Sequence, residues 1–166
     1  IGERDADALA ALDRINQARG EFEPLAKILE RRIAAADSPD DAASLYLRLG
    51  PLREDALGDI DGAVLAYEEV LKVDSRNLKV LESLERVHFR RHRWEELAGV
   101  YERMLDAVHG DEDRADCYAR MAKIASDALG KVDRAKEQWG KVLDLRGEDS
   151  IALGALADLH ESTADW

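Results

Sequence analysis

Residues 42–74 read AASLYLRLGPLREDALGDIDGAVLAYEEVLKVD, and the same pattern returns in residues 114–146. Of the 33 aligned positions 11 are identical, including the whole motif Asp-Ala-Leu-Gly at 55–58 and 127–130. The preceding segment repeats in the same register, since apolar residues recur at positions 9, 81 and 153, at 12, 84 and 156, and at 15, 87 and 159. Such repetition at a fixed spacing indicates stacked structural repeats.

Each repeating unit divides into two hairpins of unequal length. A large residue recurs at spacings of 38, 34, 38 and 34, as Phe22, Ile60, Trp94, Val132 and Trp166. Apolar residues at three- and four-residue steps predict helices, and no alternating run of β-branched residues predicts a strand. The predicted helices are 3–18, 21–36, 39–57, 60–73, 76–91, 94–109, 112–129, 132–146 and 149–163.

Helix ends are marked by specific residues. Ser38 is a suitable N-cap, and Pro39 suits the first helical turn. Gly110 and Gly147 stand where the C-terminus of a helix favours a residue that tolerates positive φ. Pro51 falls inside a predicted helix, so we expect a kink there or a helix that restarts at this residue.

The repeated positions of the hairpins resemble the tetratricopeptide repeat family, whose pattern is W-x2-L-G-x2-Y, then A-x3-F, then P. The matching positions are Tyr46, Leu49, Gly50, Ala63 and Tyr67 in the second hairpin, Leu81, Leu84, Leu97 and Tyr101 in the third, and Tyr118, Met121, Ala122, Ala135 and Trp139 in the fourth. The closing Pro is missing from every repeat, and the second and fourth hairpins carry extra residues at the Asp-Ala-Leu-Gly turn. The paired units are similar to those of divergent bacterial repeat proteins.

The resemblance implies an all-α, right-handed α-solenoid that binds proteins or peptides. One domain, 1–166, would contain hairpins 3–36, 39–73, 76–109 and 112–146 and a trailing helix 149–163. The small residues Ala63 and Ala135 would let helices approach closely. The aromatic residues of the pattern, Tyr67, Tyr101 and Trp139, would fill the core between hairpins.

Composition and charge exclude several classes of function. The formal net charge of −12 argues against generic nucleic-acid binding, which needs a positive surface. A single Cys excludes an internal disulfide, and no apolar stretch is long enough for membrane insertion. The chain begins with Ile1 and shows no signal peptide. We therefore expect a fragment of a longer protein, and no compartment follows, with the cytoplasm slightly favoured.

Nothing in the sequence predicts an enzyme, a metal or a cofactor. The nucleotide-binding, hydrolase and zinc-protease motifs are absent. Cys117 lies at an apolar helix position beside Tyr118, which is typical of a buried thiol. His88 and His92 have the i, i+4 spacing of a zinc pair, but a stable site needs three or four ligands. His160 is the repeat counterpart of His88, which favours a packing role.

One basic stretch interrupts the acidic chain. Residues 76–93 hold six basic and two acidic residues, a net charge of +4, which leaves −16 for the remainder. In the family the first helix of each hairpin lines the concave groove. By that resemblance the groove residues would be Arg14, Gln17, Lys79, Glu82, Arg86, Phe89, Arg90 and Lys123. Arginines around the exposed Phe89 would suit an acidic peptide with an apolar anchor.

Other interpretations of the chain stay open. The basic residues would also complement the helix dipole and pair with Glu82 and Glu85. A carboxylate clamp, as in some family members, is less supported because Asn16 has no Asn partner in the third hairpin. The chain would alternatively be a structural or oligomerising solenoid, self-associating through its ends, or a spacer. The trailing helix either caps the array or precedes another repeat, and Asp165-Trp166 matches Arg93-Trp94, which favours truncation within a repeat.

Overall fold

The computed structural model describes the backbone of residues 3–163 and the side chains of residues 7–163. Within that range every regular element is helical. The helices are α1 (Glu3–Arg19), α2 (Phe22–Ala34), α3 (Pro39–Pro51), α4 (Ile60–Val73), α5 (Leu78–Arg90), α6 (Trp94–Ala107), α7 (Asp111–Lys123), α8 (Val132–Arg146) and α9 (Ser150–Thr163). The chain divides into two compact units, the N-unit (Ile1–Ser83) and the C-unit (Leu84–Trp166).

The predicted all-α fold is confirmed, and local capping explains where several helices begin. The Oγ of Ser38 accepts a hydrogen bond from the backbone N–H of Asp41 at 3.1 Å, with Pro39 at the start of α3. The side chain of Asp149 accepts from the N–H groups of Ile151 and Ala152 at 2.9 Å and so opens α9. These bonds satisfy donors that a helix N-terminus leaves without partners.

The two glycines expected at helix ends behave differently. Gly147 has φ +72° and ends α8, as predicted. The prediction is wrong for Gly110, which has φ −98° and is the N-cap residue of α7. α6 already ends at Ala107, and the extended Val108 leads out of it, so no left-handed residue is needed there.

The N-unit core lies between its two hairpins. Leu25, Ala26, Leu29 and Leu49 form a buried cluster. In the second hairpin, α3 and α4 touch so closely that a Cβ at Gly50 would lie 2.8 Å from Cδ1 of Tyr67. The Tyr67 hydroxyl donates to the buried carboxylate of Glu54 at 2.9 Å. The predicted core positions Ala63 and Tyr67 are buried.

The C-unit repeats this packing with other residues. Ala115, Ala122, Trp139, Val142 and Ala152 form its buried cluster. Ala122 and Trp139 occupy the repeat positions of Gly50 and Tyr67, so the fourth hairpin has an Ala and a Trp where the second has a Gly and a Tyr. The other predicted core positions, Ala135 and Tyr101, are also buried.

A widened π-helical turn follows the first helix of the second and the fourth hairpins. It covers Leu52–Ala56 after α3 and Ile124–Ala128 after α7, and its i→i−5 bonds run from Leu57 to Leu52 (3.2 Å) and from Leu129 to Ile124 (3.1 Å). These turns accommodate the extra residues at the Asp-Ala-Leu-Gly motif. The predicted helices 39–57 and 112–129 therefore have nearly correct bounds, but their last turn is not α-helical.

Pro51 neither restarts the helix nor causes the widened turn. Its backbone is helical, with φ −60° and ψ −35°, and α3 extends to it. The corresponding residue of the fourth hairpin is Lys123, which precedes a π-helical turn of the same length. The widening therefore belongs to the inserted turn sequence that both hairpins share.

α9 carries apolar residues on two sides. Leu156 and Leu159 pack against the C-unit cluster, while Ile151 is 65% and Leu153 is 50% exposed. The prediction that Leu153, Leu156 and Leu159 form one stripe is therefore wrong for Leu153. The predicted truncation at Asp165-Trp166 lies outside the described residues. No helix of the described part is long and apolar enough to cross a membrane.

Candidate functional site

In each unit an arginine–carboxylate contact joins the first helices of consecutive hairpins. In the N-unit, Arg48 of α3 donates to both oxygens of Asp13 of α1, each at 2.7 Å. Arg32 of α2 forms a second ion pair with the same carboxylate. The side chain of Asp13 is only 3% exposed. The two first helices therefore lie side by side with a buried charge between them.

The C-unit has the matching contact at the same repeat positions. Arg120 of α7 pairs with Glu85 of α5, and the Tyr101 hydroxyl of α6 donates to the same carboxylate at 2.8 Å. The Arg120 guanidinium also lies 5.8 Å from the centroid of the Tyr101 ring. α5 and α7 therefore present one continuous layer of first helices. Asp13 and Glu85 occupy one repeat position, and Arg48 and Arg120 occupy another. The sequence predicted neither pair: Glu85 was expected to contact basic residues of its own segment, and no partner was expected for Asp13.

These contacts shift the protonation of the groups involved. The hydrogen bond from Arg48 is the main cause that lowers the pKa of Asp13, against the opposing effect of burial. Burial, followed by the hydrogen bond to Glu85, raises the pKa of Tyr101 to about 12. Both groups therefore keep their bonded form, carboxylate and phenol, over a wide range around neutral pH.

The predicted site residues of the C-unit lie on this layer. Arg86, Phe89 and Arg90 occupy α5 at i, i+3 and i+4, and Lys123 is the last residue of α7. All four are exposed, and the side chain of Phe89 is 60% exposed. The role of these four residues in binding a partner remains a prediction.

The remaining predicted site residues belong to the N-unit. Arg14 and Gln17 are exposed on α1, and Lys79 and Glu82 are exposed on the first half of α5. Gln17 accepts a hydrogen bond from Arg48 at 3.1 Å, so it adjoins the Asp13 contact. Arg14 donates to the carbonyl of Ala10 in its own helix at 3.4 Å.

A cluster of three rings forms at the turn between α5 and α6. The ring centroids of Phe89 and Trp94 are 5.8 Å apart in an edge-to-face arrangement, and those of His92 and Trp94 are 5.1 Å apart. His92 has φ +54° and is the only non-glycine residue with positive φ in the described part of the chain. The sequence predicted an exposed Phe89 but not its contact with Trp94.

A polar pocket of about 240 Å³ lies beside this layer, between α7, α8 and α9. Its lining includes Arg120, Lys123, Trp139, Arg146 and Ile151. Arg146 is held by three carboxylates, with the longest contact 3.3 Å to Asp149, and its bonds to the other two are the main cause that raises its pKa. The Lys123 ammonium forms no ion pair within the described residues. The pocket therefore offers a cation that is available to an anionic group.

His88, His92 and Cys117 were the residues considered as metal ligands or as a nucleophile, and their surroundings do not suit these roles. His88 is 5% exposed whereas His92 is exposed, so the two imidazoles do not share a face. Among the described side chains, no three of the His, Cys, Asp and Glu type come together in a metal-binding group. Cys117 is buried, and burial raises the pKa of its thiol, the reverse of what an activated nucleophile requires.

Comparison with known proteins agrees with this architecture. The tetratricopeptide repeat family profile matches residues 80–115. A crystal structure of the MamA protein is 16% identical over 94% of this chain and 81% of its own, with a TM-score of 0.55. The RS-1 ArsTM double mutant of MamA is 19% identical over 99% and 87%, also at 0.55.

A tetratricopeptide repeat protein from Parabacteroides merdae reaches a TM-score of 0.59 at 13% identity, over 96% of this chain and 61% of that one. No curated protein sequence matches the chain. The chain therefore has the fold of tetratricopeptide repeat proteins, a succession of helix hairpins. This fold is typical of non-catalytic scaffolds for protein–protein interaction.

Proposed function

We propose that the chain is an interaction scaffold that binds an acidic peptide or protein segment on the first helices of its hairpins. The binding surface in the C-unit comprises Arg86, Phe89 and Arg90 of α5 and Lys123 of α7, and is called the α5–α7 surface below. The observation that carries the proposal is the 60% exposure of Phe89 between two arginines on that surface. Arg14, Gln17, Lys79 and Glu82 remain predictions for the same role.

The scaffold supports such binding because it is already ordered. The Arg120–Glu85 pair and the Tyr101 hydrogen bond fix α5 against α6 and α7. A segment that binds to prearranged side chains loses only its own conformational freedom. The net charge of +4 over residues 76–93 would attract an acidic segment locally, although the chain as a whole carries −12.

The alternative role of these arginines is structural, because Arg and Lys near a helix C-terminus complement the helix dipole. Glu85, one of the two carboxylates expected to pair with them, is engaged by Arg120 and Tyr101. A charge reversal on α5 therefore distinguishes the two roles, provided that stability is measured together with binding.

The test is a matched pair of charge reversals. Arg86→Glu with Arg90→Glu changes two residues at i, i+4 on α5, and Lys27→Glu with Arg31→Glu makes the same charge change at i, i+4 on the exposed side of α2. Partners captured from the source cell by the wild-type chain are identified, purified and titrated against both variants. We expect the α5 variant to lose binding and the α2 variant to retain it, at unchanged helical circular dichroism. Equal binding by both variants would contradict the proposal.

A second candidate function is self-association, and one observation favours it. α1 exposes Leu12 (43%) and Ile15 (45%), whereas the residues at the same repeat positions of α5, Leu84 and Val87, are 0% and 1% exposed. Together with Ile151 and Leu153 of α9, they leave apolar surface on the first and last described helices. Sedimentation velocity over a hundredfold concentration range tests this role, and a constant monomeric coefficient would exclude it.

A further inference from the structure

The four hairpin turns share one backbone conformation. Two residues before the second helix of each hairpin, the chain enters the left-handed region, at Gly20 (φ +67°), Gly58 (+65°), His92 (+54°) and Gly130 (+63°). Glycine adopts this conformation without strain, while any residue with a Cβ is disfavoured there. The third turn alone carries a side chain at a position where the other turns have glycine. Strain of this kind is often kept for the sake of what the side chain does.

The imidazole of His92 extends an aromatic cluster. It lies against Trp94, which in turn contacts Phe89 edge to face. The first hairpin has Gln17, Gly20 and Phe22 at the corresponding repeat positions. The third hairpin therefore differs at all three places, each time toward a larger, aromatic side chain. Because the first hairpin forms the same turn with Gln17 and Gly20, the rings of Phe89 and His92 are not required for the fold.

Phe89 and His92 are exposed, Trp94 is partly buried, and three arginines adjoin His92 in sequence. Arg90 and Arg91 precede His92, and Arg93 follows it, where the first hairpin has Ala18, Arg19 and Glu21. Arg91 is exposed and forms no ion pair within the described residues. Edge-to-face rings leave flat apolar faces for a further ring or an aliphatic side chain, and arginines beside them favour carboxylates.

Phe89, His92 and Trp94 are together called the aromatic turn below. We infer that the aromatic turn docks an aromatic or aliphatic side chain of an acidic peptide. The inference rests on the proposed function and extends the α5–α7 surface around the end of α5, since Phe89 belongs to both. A peptide is favoured over single-stranded nucleic acid because Glu95 and Glu96 follow the turn directly. A nucleic acid carries a negative charge at every nucleotide, so the C-unit, with 13 basic and 18 acidic residues, repels it more strongly than a peptide in which only some residues are acidic.

The test transplants residues of the first hairpin into the third. Phe89→Gln and His92→Gly each introduce the residue that the first hairpin has at the corresponding position, Gln17 or Gly20. The probes are a fluorescein-labelled 12-residue peptide with six Asp and Glu residues and one Phe, the same peptide with Ala for Phe, and a twelve-nucleotide oligothymidine. Binding of each probe to the full chain is measured by fluorescence anisotropy.

We expect the wild-type chain to bind the Phe peptide about two- to tenfold more tightly than the Ala peptide, the range of one aromatic contact. Each transplant should remove this preference while the weaker binding of the Ala peptide persists. His92→Gly should also raise the melting temperature, because it relieves the left-handed strain. A lower melting temperature for this variant would overturn the strain argument on which the inference depends.

The outcomes separate the inference from the proposed function. Loss of the Phe preference in both transplants, with binding of either peptide abolished by Arg86→Glu with Arg90→Glu, supports both. An undiminished Phe preference in the transplants, with the charge reversal still abolishing binding, overturns the aromatic turn and the role of Phe89, and leaves the arginines of the α5–α7 surface as the binding residues. No binding of either peptide by the wild-type chain, or tighter binding of the oligothymidine, overturns the inference outright.

Discussion

The contact between Gly50 and Tyr67 predicts that adding a single methyl group will destabilise the N-unit. In an open helix, Gly→Ala stabilises by about 1 kcal/mol. At Gly50 the new Cβ would lie 2.8 Å from Cδ1 of the Tyr67 ring, which must then move. Overpacking of this kind costs about 1–3 kcal/mol. Displacement of the ring would also break the 2.9 Å bond from its hydroxyl to buried Glu54, at a further cost of about 1.5–3 kcal/mol. We expect Gly50→Ala to lower the free energy of unfolding by about 1.5–5 kcal/mol.

The measurement is urea unfolding followed by far-ultraviolet circular dichroism, with hydrogen exchange of the amides of α3 and α4 to locate the effect. Gly99→Ala in α6 is the control, because a Cβ there meets no atom within 4 Å beyond the adjoining backbone of its own helix, and it should stabilise by about 0.5–1 kcal/mol. Combination with Tyr67→Leu should reduce the cost of Gly50→Ala, since the ring it strikes is gone. Equal effects of Gly50→Ala and Gly99→Ala would refute the reasoning.

Three further predictions concern titration and reactivity. The pKa of Asp13 is lowered in the folded chain, so its contribution to stability is present above the unfolded pKa of about 3.9 and is lost as pH falls through the folded pKa. The difference in unfolding free energy between wild type and Asp13→Asn should therefore narrow below about pH 4, and a difference that stays constant would contradict this. One phenol should titrate near pH 12 by absorbance at 295 nm, and persistence of that step in Tyr101→Phe would show that it belongs to another tyrosine. Cys117 should react with Ellman's reagent only after unfolding by urea, and rapid reaction in buffer would show that the thiol is accessible.

The hairpins could be predicted from the sequence because its separate signals agree on where the helices lie. The repeat spacing, the apolar three- and four-residue steps and the cap at Ser38 all indicate the same helices. The π-helical turns were not predictable in form, because Asp55-Ala56-Leu57-Gly58 indicates added length but not how the backbone absorbs it. Pro51 was misleading for a physical reason: its fixed φ suits a helix, and the same widened turn forms behind Lys123.

The candidate surface was only partly predictable. The exposure of Phe89 followed from its position on α5, but its contact with Trp94 depends on a turn that brings residues five apart in sequence edge to face. A signal for that turn was present in the sequence, because glycine stands at the corresponding position of the other three turns, at Gly20, Gly58 and Gly130. A recurring glycine indicates left-handed backbone, and His92 occupies the same position in the third turn. The burial of Asp13 was harder to predict from the sequence, because an acidic residue on an amphipathic helix normally faces solvent. Its arginine partner, Arg48, is 35 residues away.

The alternation of tight and π-helical turns sets the step by which an array of this kind can lengthen. A tight turn closes the first and third hairpins, and a widened one closes the second and fourth. Duplication of one hairpin, by unequal recombination or in the laboratory, would place two turns of the same kind in succession. Duplication of a two-hairpin block preserves the order and also carries both residues of each pair, Asp13 with Arg48 or Glu85 with Arg120. We therefore expect insertions of two hairpins to be tolerated where insertions of one are not, so the gene's natural unit of growth is the pair.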